Sequence, residues 1–193
     1  MSKIFYLMGK SASGKDTIYK ELKELLPELK TIVIYTTRPI REGEQDGVEY
    51  HFVDEARLQE FQEADKVIEL RAYNTVHGVW KYFTVDDGQF DADDNYIAIG
   101  TLESYKGMRD YLGEDKLIPI YIEVEDGERL IRAIAREKGQ DVPKYEEMCR
   151  RFLADAKDFS EDNLKNAGIE KRFINRSLDS TLEEIENHIT SMM

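Results

Sequence analysis

The chain has 193 residues, of which 40 are Asp or Glu and 27 are Lys or Arg, and its formal net charge is −13. So negative a protein has no long-range attraction for nucleic acid or for an anionic membrane, and we expect neither as a partner. Hydrophobic residues make up 41% and aromatic residues 10% of the sequence, which excludes a disordered chain and predicts one compact domain with a substantial core.

The N-terminal segment predicts a strand, a loop and a helix in succession. The apolar run from Ile4 to Met8 is typical of a strand that is buried on both faces of a parallel sheet. A glycine-rich turn follows, and apolar residues then recur at helical spacing from Thr17 to Pro27. Ile32 to Tyr35 is the next predicted strand. Because the first apolar run is too short for a signal peptide or a membrane span, we expect a cytoplasmic protein.

A stretch of different character interrupts the alternation of strands and helices. Between Thr36 and about Thr84 the sequence is rich in turns, with a helix near Leu58 to Ala64, which indicates an inserted α+β lobe. Tyr96 to Ile99 and Ile118 to Ile122 again predict buried strands, and Arg172 to Asn175 a final one. This order predicts an α/β fold in which a parallel sheet is flanked by helices.

Two helices of the C-terminal part carry recognisable end signals. One is predicted from about Asp126, its N-cap, with the apolar residues Leu130, Ile131 and Ile134 on one face. The terminal helix contains Ser180–Glu183, the spacing of a capping box. We therefore expect the first helix to bury an apolar stripe and the last to begin at the capping box.

Cysteine and histidine give no indication of a metal or thiol site. The single cysteine, Cys149, cannot form an internal disulfide, and a structural thiol is the favoured interpretation over a nucleophile. His51, His77 and His188 lack the spacing of metal ligands, so we favour ordinary turn or surface residues over zinc ligands.

The segment from Gly9 to Lys15 has the form G-x-x-x-x-G-K and lies between a predicted buried strand and a predicted helix. Glycines allow successive backbone N–H groups to converge on phosphate oxygens, and the helix N-terminus adds a favourable dipole. Lys15 can neutralise charge on the transferred group. A plain glycine-rich turn is the alternative, but the strand and helix on either side favour a nucleotide-binding phosphate loop.

The residue after this lysine is unusual. Phosphate loops normally have Ser or Thr there as a magnesium ligand, whereas this chain has Asp16, with Thr17 one residue later. A carboxylate at this place could bind Mg²⁺ directly or through water, or it could repel the phosphates. The sequence leaves both outcomes open.

A second group of polar residues lies between Thr36 and Phe52. Arg38 and Arg41 are followed, after a turn, by the phenol of Tyr50. Two guanidinium groups and a phenol are suited to hold a second phosphate. A solvated basic loop is the alternative that composition alone favours.

Together these two motifs resemble the guanylate kinase family, in which a phosphate loop is followed by a T-T-R-x-x-R-x-G-E-x-x-G-x-x-Y segment that holds the phosphate of GMP. The segment from Thr36 to Tyr50 matches that pattern at nearly every fixed place. The resemblance extends along nearly the whole chain and implies a P-loop NTPase-like core at 1–35, 85–125 and 149–193. It also implies an inserted monophosphate-binding lobe at about 36–84 and a helical lid at about 126–148.

The resemblance implies a role for individual residues. Those that would bind ATP are Gly9, Ser11, Ala12, Ser13, Gly14, Lys15, Asp16, Thr17 and Asn175. Those that would bind GMP are Thr37, Arg38, Arg41, Tyr50, Glu69 and Tyr82, with Glu69 accepting hydrogen bonds from the guanine edge. The catalytic set would be Lys15, Arg38, Arg132, Arg136 and Arg151, the last three closing on the donor phosphates. Without the resemblance, Arg132 and Arg136 would be interpreted as a solvated helix face.

The chain departs from the family pattern at places near the acceptor and the metal. Ile34 stands where relatives have a small hydroxyl residue, and Ala98 and Gly100 replace the aspartates of an L-D-x-D-x-Q-G segment. Loss of those carboxylates could weaken the positioning of Mg²⁺ or change the acceptor. Glu103 or Asp16 could compensate.

We therefore predict an ATP- and Mg²⁺-dependent nucleoside monophosphate kinase that transfers the γ-phosphoryl group of ATP to GMP. Two alternatives are a guanylate-kinase-like binding module with little catalysis and a kinase with another phosphate-bearing acceptor. The expected partners are small-molecule nucleotides, and the expected state is a monomer or a weak homo-oligomer.

Overall fold

The computed structural model describes residues 2–75, 78–90 and 93–193. Strands and helices alternate along most of the chain, as the sequence predicts. In chain order they are β1 (Ile4–Met8), α1 (Lys15–Leu25), β2 (Lys30–Thr31), β3 (Tyr35–Thr36), β4 (His51–Phe52), α2 (Glu55–Glu63), β5 (Val67–Thr75), β6 (Gly78–Val85), β7 (Tyr96–Ile99), α3 (Leu102–Leu112), β8 (Leu117–Glu123), α4 (Asp126–Lys138), α5 (Tyr145–Asp158), α6 (Glu161–Asn166), β9 (Arg172–Ile174) and α7 (Leu178–Thr190).

The core is a five-stranded parallel sheet in the order β2-β7-β1-β8-β9. β1 is its centre, and the side chains of β1 alternate between the two faces because strand periodicity is two. Tyr6 and Met8 pack towards α3, whereas Phe5 and Leu7 pack towards α1 and α7. The prediction of a parallel sheet flanked by helices is therefore confirmed.

A second sheet forms outside the core, in the order β4-β3-β6-β5. Its main part is the antiparallel hairpin of β5 and β6, and α2 covers it with Leu58 and Phe61 against Phe83 and Val85. This small hydrophobic cluster is separate from those of the core. The segment where the sequence indicates an α+β lobe thus has its own sheet and its own apolar centre.

The predicted strand from Ile32 to Tyr35 was wrong. Pairing with β7 involves Lys30 and Thr31, and strand structure resumes only at Tyr35, in the second sheet. The apolar residues between β2 and β3 lie where the chain passes from the core sheet to the second sheet. Ile32 is buried in the core and Ile34 is partly buried against it, so their hydrophobicity reflects packing and not a continuous strand.

The ends and faces of two helices also differ from prediction. α4 begins at Asp126 with Glu125 as its N-cap, and α7 begins after Ser177, so Ser180 lies inside the first turn. The buried residues of α4 are Arg129, Ala133 and Glu137, whereas Ile131 is 65% exposed. The predicted apolar face is therefore wrong, because α4 packs through a buried ion-pair network. The short helix α6 was not predicted.

No helix in the described ranges combines the length and the apolar character needed to cross a bilayer.

Candidate active site

The glycine-rich loop between β1 and α1 ends at a helix N-terminus that no side chain caps. Gly14 is the N-cap residue of α1 and has φ 87°, in the left-handed region that favours glycine. The first N–H groups of a helix have no partner within the helix, so those of α1 are available to an anion. Ala12 also has a positive φ, 63°, a strained conformation of the kind that tertiary contacts maintain at functional loops.

The rest of the structure packs closely around this loop. A Cβ added at Gly9 would lie 2.6 Å from the carbonyl oxygen of Ile122, so only glycine fits there. The Nδ2 group of Asn175 donates a hydrogen bond to the carbonyl oxygen of Ser13 at 2.8 Å, and a Cβ added at Gly14 would lie 2.6 Å from the same Nδ2 atom. Asn175 is buried and supports the loop backbone from behind; its contact with ATP stays a prediction.

Arg129 is a loop-supporting residue that the sequence analysis missed. Its side chain is 1% exposed, and its Nε group donates to the carbonyl oxygen of Ser11 at 3.0 Å. Its two terminal nitrogens donate to Asp126 and Asp155, and Asp155 also accepts from the backbone N–H of Ser11 at 2.7 Å. An arginine three residues after an aspartate in a helix is the signal that was available, but arginines at this spacing are usually solvent-exposed.

A cavity of about 1000 Å³ joins the phosphate loop to the second sheet. Lys15 and Asp16 line it from the loop, and Tyr50 and Tyr82 line it from the lobe. The rings of Tyr50 and Tyr82 meet edge to face, with centroids 5.6 Å apart. A volume of this size accommodates a bound ligand, and it places the lysine of one motif and the phenols of the other around the same space.

Arg38 lies behind the two phenols and is already paired. It is 4% exposed, and its terminal nitrogens donate to both carboxylate oxygens of Glu44 at 2.7 and 2.6 Å. The hydrogen bonds from Arg38 lower the pKa of Glu44 from 4.5 to about 2. The guanidinium carbon of Arg38 lies 4.9 Å from the ring centroid of Tyr50 and 5.1 Å from that of Phe52. Three of the residues predicted to bind GMP are therefore brought together, namely Arg38, Tyr50 and Tyr82, and with Thr37 and Arg41 we call them the clamp.

The other two residues of the predicted clamp are placed differently. Arg41 is exposed, and its guanidinium carbon lies 5.8 Å from the ring centroid of Trp80. Thr37 exchanges hydrogen bonds with the backbone of Lys81 on β6: its N–H donates to the carbonyl oxygen and its Oγ1 accepts from the N–H, each at 3.0 Å. Thr37 thus fastens the clamp segment to the hairpin.

Glu69, the predicted partner of guanine, is buried in a polar network. It accepts from Arg71 on the same strand, from Thr84 on β6 and from Ser104 on α3. Gly107 allows this approach of α3, since a Cβ there would lie 2.6 Å from the Cβ of Glu69. Arg71 lines the large cavity, whereas Glu69 is not among its lining residues.

The side chain of Tyr6 fills the space beside Gly100, the place where the resemblance implied an aspartate. A Cβ added at Gly100 would collide with the hydroxyl oxygen of Tyr6, so no larger residue fits without a shift. The phenol is fully buried, and burial raises its pKa to about 12, so it stays protonated at neutral pH. The loss of the aspartate is thus matched by a neutral hydroxyl group.

The three arginines that are predicted to close on the donor phosphates do not line the cavity. Arg132 pairs with Glu128 at 2.9 Å and donates to the carbonyl oxygen of Asn175 at 3.4 Å. Arg136 is exposed, and Arg151 lies 3.7 Å from the carboxylate of Glu137. Of the residues on α5, Glu147 and Arg150 line the cavity. Arg150 therefore lines the cavity, whereas its neighbour Arg151, the predicted residue, does not.

Few residues of the site could hold a divalent cation. Among residues 2–75, 78–90 and 93–193 no three His, Cys, Asp or Glu side chains are grouped as metal ligands. Asp16 lines the cavity, 2.7 Å from the Nζ atom of Lys15, whereas Glu103 lines a neighbouring cavity of about 360 Å³. Because Mg²⁺ is usually held by one or two carboxylates together with phosphates and water, Asp16 suits that role and Glu103 does not.

His51, His188 and Cys149 do not line the large cavity. His51 packs against the ring of Tyr35, and His188 against that of Phe173. Cys149 is exposed on α5. His77 lies outside the described residues.

Comparisons with known proteins agree with this arrangement. A family model described as guanylate kinase matches residues 1–81. A guanylate kinase of Mycobacterium bovis is 38% identical over 78 residues, which are 40% of this chain and 36% of that protein. A guanylate kinase of Campylobacter jejuni is 25% identical over 166 residues, which are 82% of this chain and 77% of that protein.

Over residues 1–81 the chain is similar to the guanylate kinase family. The crystal structure of guanylate kinase from Anaplasma phagocytophilum matches with a TM-score of 0.66 and 17% identity over 98% of this chain and 85% of that one, which shows a shared fold. The matched sequence spans only about a third of the length of the first curated relatives. The guanylate kinase model covers the phosphate loop and the segment from Thr37 to Tyr50, whereas Tyr82 and all three arginines predicted to close on the donor phosphates lie beyond it.

Proposed function

We propose that this protein is an ATP- and Mg²⁺-dependent phosphotransferase that moves the γ-phosphoryl group of ATP onto the phosphate of a nucleoside monophosphate. GMP is the acceptor that the similarity to guanylate kinases favours. The observation that carries the proposal is the single cavity lined by Lys15 at one end and by Tyr50 and Tyr82 at the other. Two phosphate-binding motifs that face one space are the arrangement that direct transfer between two phosphates requires.

The donor end would hold ATP through main-chain groups and one lysine. The free N–H groups at the start of α1 are suited to phosphate oxygens, and Lys15 would neutralise charge on the transferred group. Asp16 would hold the Mg²⁺ ion that accompanies ATP and offsets phosphate charge.

The acceptor end would hold the monophosphate through the clamp. Arg38, stacked against Tyr50, would offer its guanidinium group to the phosphate while Glu44 keeps it in place. Transfer would then be a direct in-line displacement, with no covalent enzyme intermediate.

Closure of the segment at about 126–148 would complete the site. Arg132 and Arg136 lie one turn apart on α4, outside the cavity. Movement of this lid would bring both arginines to the donor phosphates, where Arg151 of α5 would join them, and would exclude water that would otherwise hydrolyse ATP. The lid, the lobe at about 36–84 and their movement are parts of the proposal.

The net charge of −13 supports small nucleotides held by local clamps, in preference to nucleic acid. We keep a cytoplasmic location and a monomer or weak homo-oligomer as predictions.

A kinase for another acceptor is the second candidate. It is favoured by one observation: the carboxylate of Glu69 is engaged by Arg71, Thr84 and Ser104 and does not line the cavity.

A coupled assay of ADP release with a panel of nucleoside monophosphates tests these possibilities. We expect turnover of GMP, and Lys15→Met is expected to reduce kcat about 100- to 1000-fold, as for loss of one group that stabilises transition-state charge. Lys20→Met, an exposed residue on the same helix, is the matched control. Preference for another acceptor would support the second candidate, and silence with every acceptor would contradict both and favour a binding module.

A further inference from the structure

The floor of the cavity beside β5 is formed by an arginine that covers a carboxylate. Glu69 and Arg71 are two residues apart on one strand, so their side chains share a face. Their side chains are 6% and 5% exposed, and Nε of Arg71 lies 2.9 Å from Oε2 of Glu69 while Nη2 lies 3.2 Å from Oε1. The pair is therefore buried and bidentate.

The carboxylate of Glu69 has little acceptor capacity left. Besides Arg71, the hydroxyl groups of Thr84 and Ser104 donate to Oε1 at 2.7 and 2.9 Å. Four donors thus meet a group that has about four lone-pair sites. A guanine whose N1–H and 2-amino groups were bound by this carboxylate would have to displace donors that are themselves buried.

Arg71, in contrast, has donor capacity towards the cavity. A guanidinium group has five N–H donors. Two meet Glu69, one lies 3.3 Å from Oγ1 of Thr101, and the hydroxyl of Tyr73 is a further partner. At least one N–H remains, and because Thr101 and Tyr73 line the same cavity, their hydrogen bonds can be exchanged for bonds to a ligand.

Among the residues that the structure describes, no carboxylate lines the base end of the cavity. Gly100 replaces an aspartate and the neutral phenol of Tyr6 fills its space. The carboxylates that do line the cavity are those of Asp16, on the phosphate loop side, and Glu147, on α5. The floor therefore presents donors to a ligand.

We propose that Arg71, and not Glu69, recognises the base of the acceptor nucleotide, so that the pocket selects 6-oxopurines by their O6 and N7 acceptors and does not distinguish guanine from hypoxanthine. Arginine pairs with O6 and N7 of a purine in a bidentate manner. The 2-amino group of guanine finds no carboxylate, so GMP and IMP bind alike. AMP is rejected because its 6-amino donor meets the donors of Arg71. This inference rests on the proposed function, since it specifies the acceptor of the same site.

The test is equilibrium binding of GMP, IMP and AMP to the full-length protein by titration calorimetry, with kcat/KM for each measured separately. Dissociation constants for GMP and IMP that differ by less than about fivefold, with AMP at least about tenfold weaker, support the inference. GMP binding more than about fivefold tighter than IMP binding, AMP binding as tight as GMP binding, or no binding of either 6-oxopurine overturns it.

Arg71→Met supplies the decisive second measurement. Removal of the guanidinium group uncovers the carboxylate of Glu69, which still has Thr84 and Ser104 as partners, and a free carboxylate accepts from N1–H and the 2-amino group of guanine. The variant is expected to prefer GMP over IMP by about tenfold. An unchanged ratio overturns the inference. Arg57→Met, an exposed arginine on α2, is the matched control and leaves the ratio at its wild-type value.

If Arg71→Met does not fold, as its circular dichroism would reveal, the wild-type ratio decides alone. Failure of the inference and failure of the proposed function are distinguishable. Similar binding of GMP and IMP without any turnover supports recognition of the base by Arg71 and contradicts the proposed kinase activity. Turnover with a strong preference for GMP over IMP supports the kinase and contradicts Arg71 recognition.

Discussion

At the donor end of the cavity the cation Lys15 stands beside free main-chain N–H groups, whereas at the acceptor end the cations Arg38 and Arg71 are each paired with a carboxylate of the same lobe. Lys15 also has an acidic neighbour, but the side chain of Asp16 is 82% exposed, so water screens that pair. The partners of the two arginines, Glu44 and Glu69, are only 18% and 6% exposed.

The difference indicates how each end selects its ligand. The donor end offers one lysine and free main-chain N–H groups, which can bind any polyphosphate because main-chain groups make no distinction between nucleotides. The acceptor end has little net charge to offer and selects by the pattern of donors and acceptors that paired arginines present. We therefore expect specificity for the acceptor to depend on the Arg38–Glu44 and Arg71–Glu69 ion pairs. Affinity for the donor is expected to depend on the phosphate loop.

The largest expected effect concerns the support of the donor loop. Arg129→Met removes a fully buried cation and leaves Asp155 without its ionic partner, so we expect a loss of about 3–5 kcal/mol in the free energy of unfolding. Urea denaturation measures it. Arg132→Met, on the same helix but more exposed, is the control and should cost less than about 1 kcal/mol. Equal losses in the two variants would contradict a supporting role for Arg129.

A second variant tests the acceptor end. Arg38→Ala is expected to weaken binding of the monophosphate by about 2–5 kcal/mol, as for truncation of one member of a buried charge pair. Calorimetric titration with the monophosphate measures this loss, while ATP affinity serves as the internal control and should stay at the wild-type value. Unchanged affinity for the monophosphate would remove the clamp from the proposed mechanism.

The Arg38–Glu44 pair also predicts a pH dependence of stability. Because hydrogen bonds from Arg38 lower the pKa of Glu44 from 4.5 to about 2 in the folded state, folding favours the charged carboxylate. The contribution of the Arg38–Glu44 pair to the free energy of unfolding is fully present above pH 4.5 and is lost as the pH falls to about 2. In urea denaturation, the difference between wild type and Glu44→Gln should be smaller at about pH 3 than at about pH 7. A difference between wild type and Glu44→Gln that is the same at both pH values would contradict the lowered pKa of Glu44.

The smallest expected effect concerns the metal. Asp16→Ser replaces an anionic ligand by the hydroxyl that phosphate loops usually have, so the Mg²⁺ concentration for half-maximal activity should rise by roughly threefold. Asp110→Ser, an exposed aspartate on α3, is the control. An Mg²⁺ requirement equal to that of wild type would count against Asp16 as a ligand.

Local patterns in the sequence predicted much of the fold. Ile4–Met8 is a buried strand and Tyr96–Ile99 another, because continuous apolar runs suit a sheet covered on both faces. The phosphate loop was predictable for the same reason, since its glycines, lysine and flanking elements are adjacent in the chain. The predictions failed at Ile32–Tyr35 and on the face of α4, where tertiary contacts override local preference.

The sequence by itself determined the class of fold, the resemblance to guanylate kinases and the two motifs predicted to bind phosphate, because each of these depends on residues that lie close together in the chain. Only the tertiary structure decided that Arg129 holds the phosphate loop, that Tyr6 occupies the place beside Gly100, and that Arg71 covers Glu69. The contacts of Arg129 and Tyr6 join segments far apart in sequence. The pairing of Arg71 with Glu69 is local, but its consequence depends on burial by β6 and α3, and burial is a property of the folded chain.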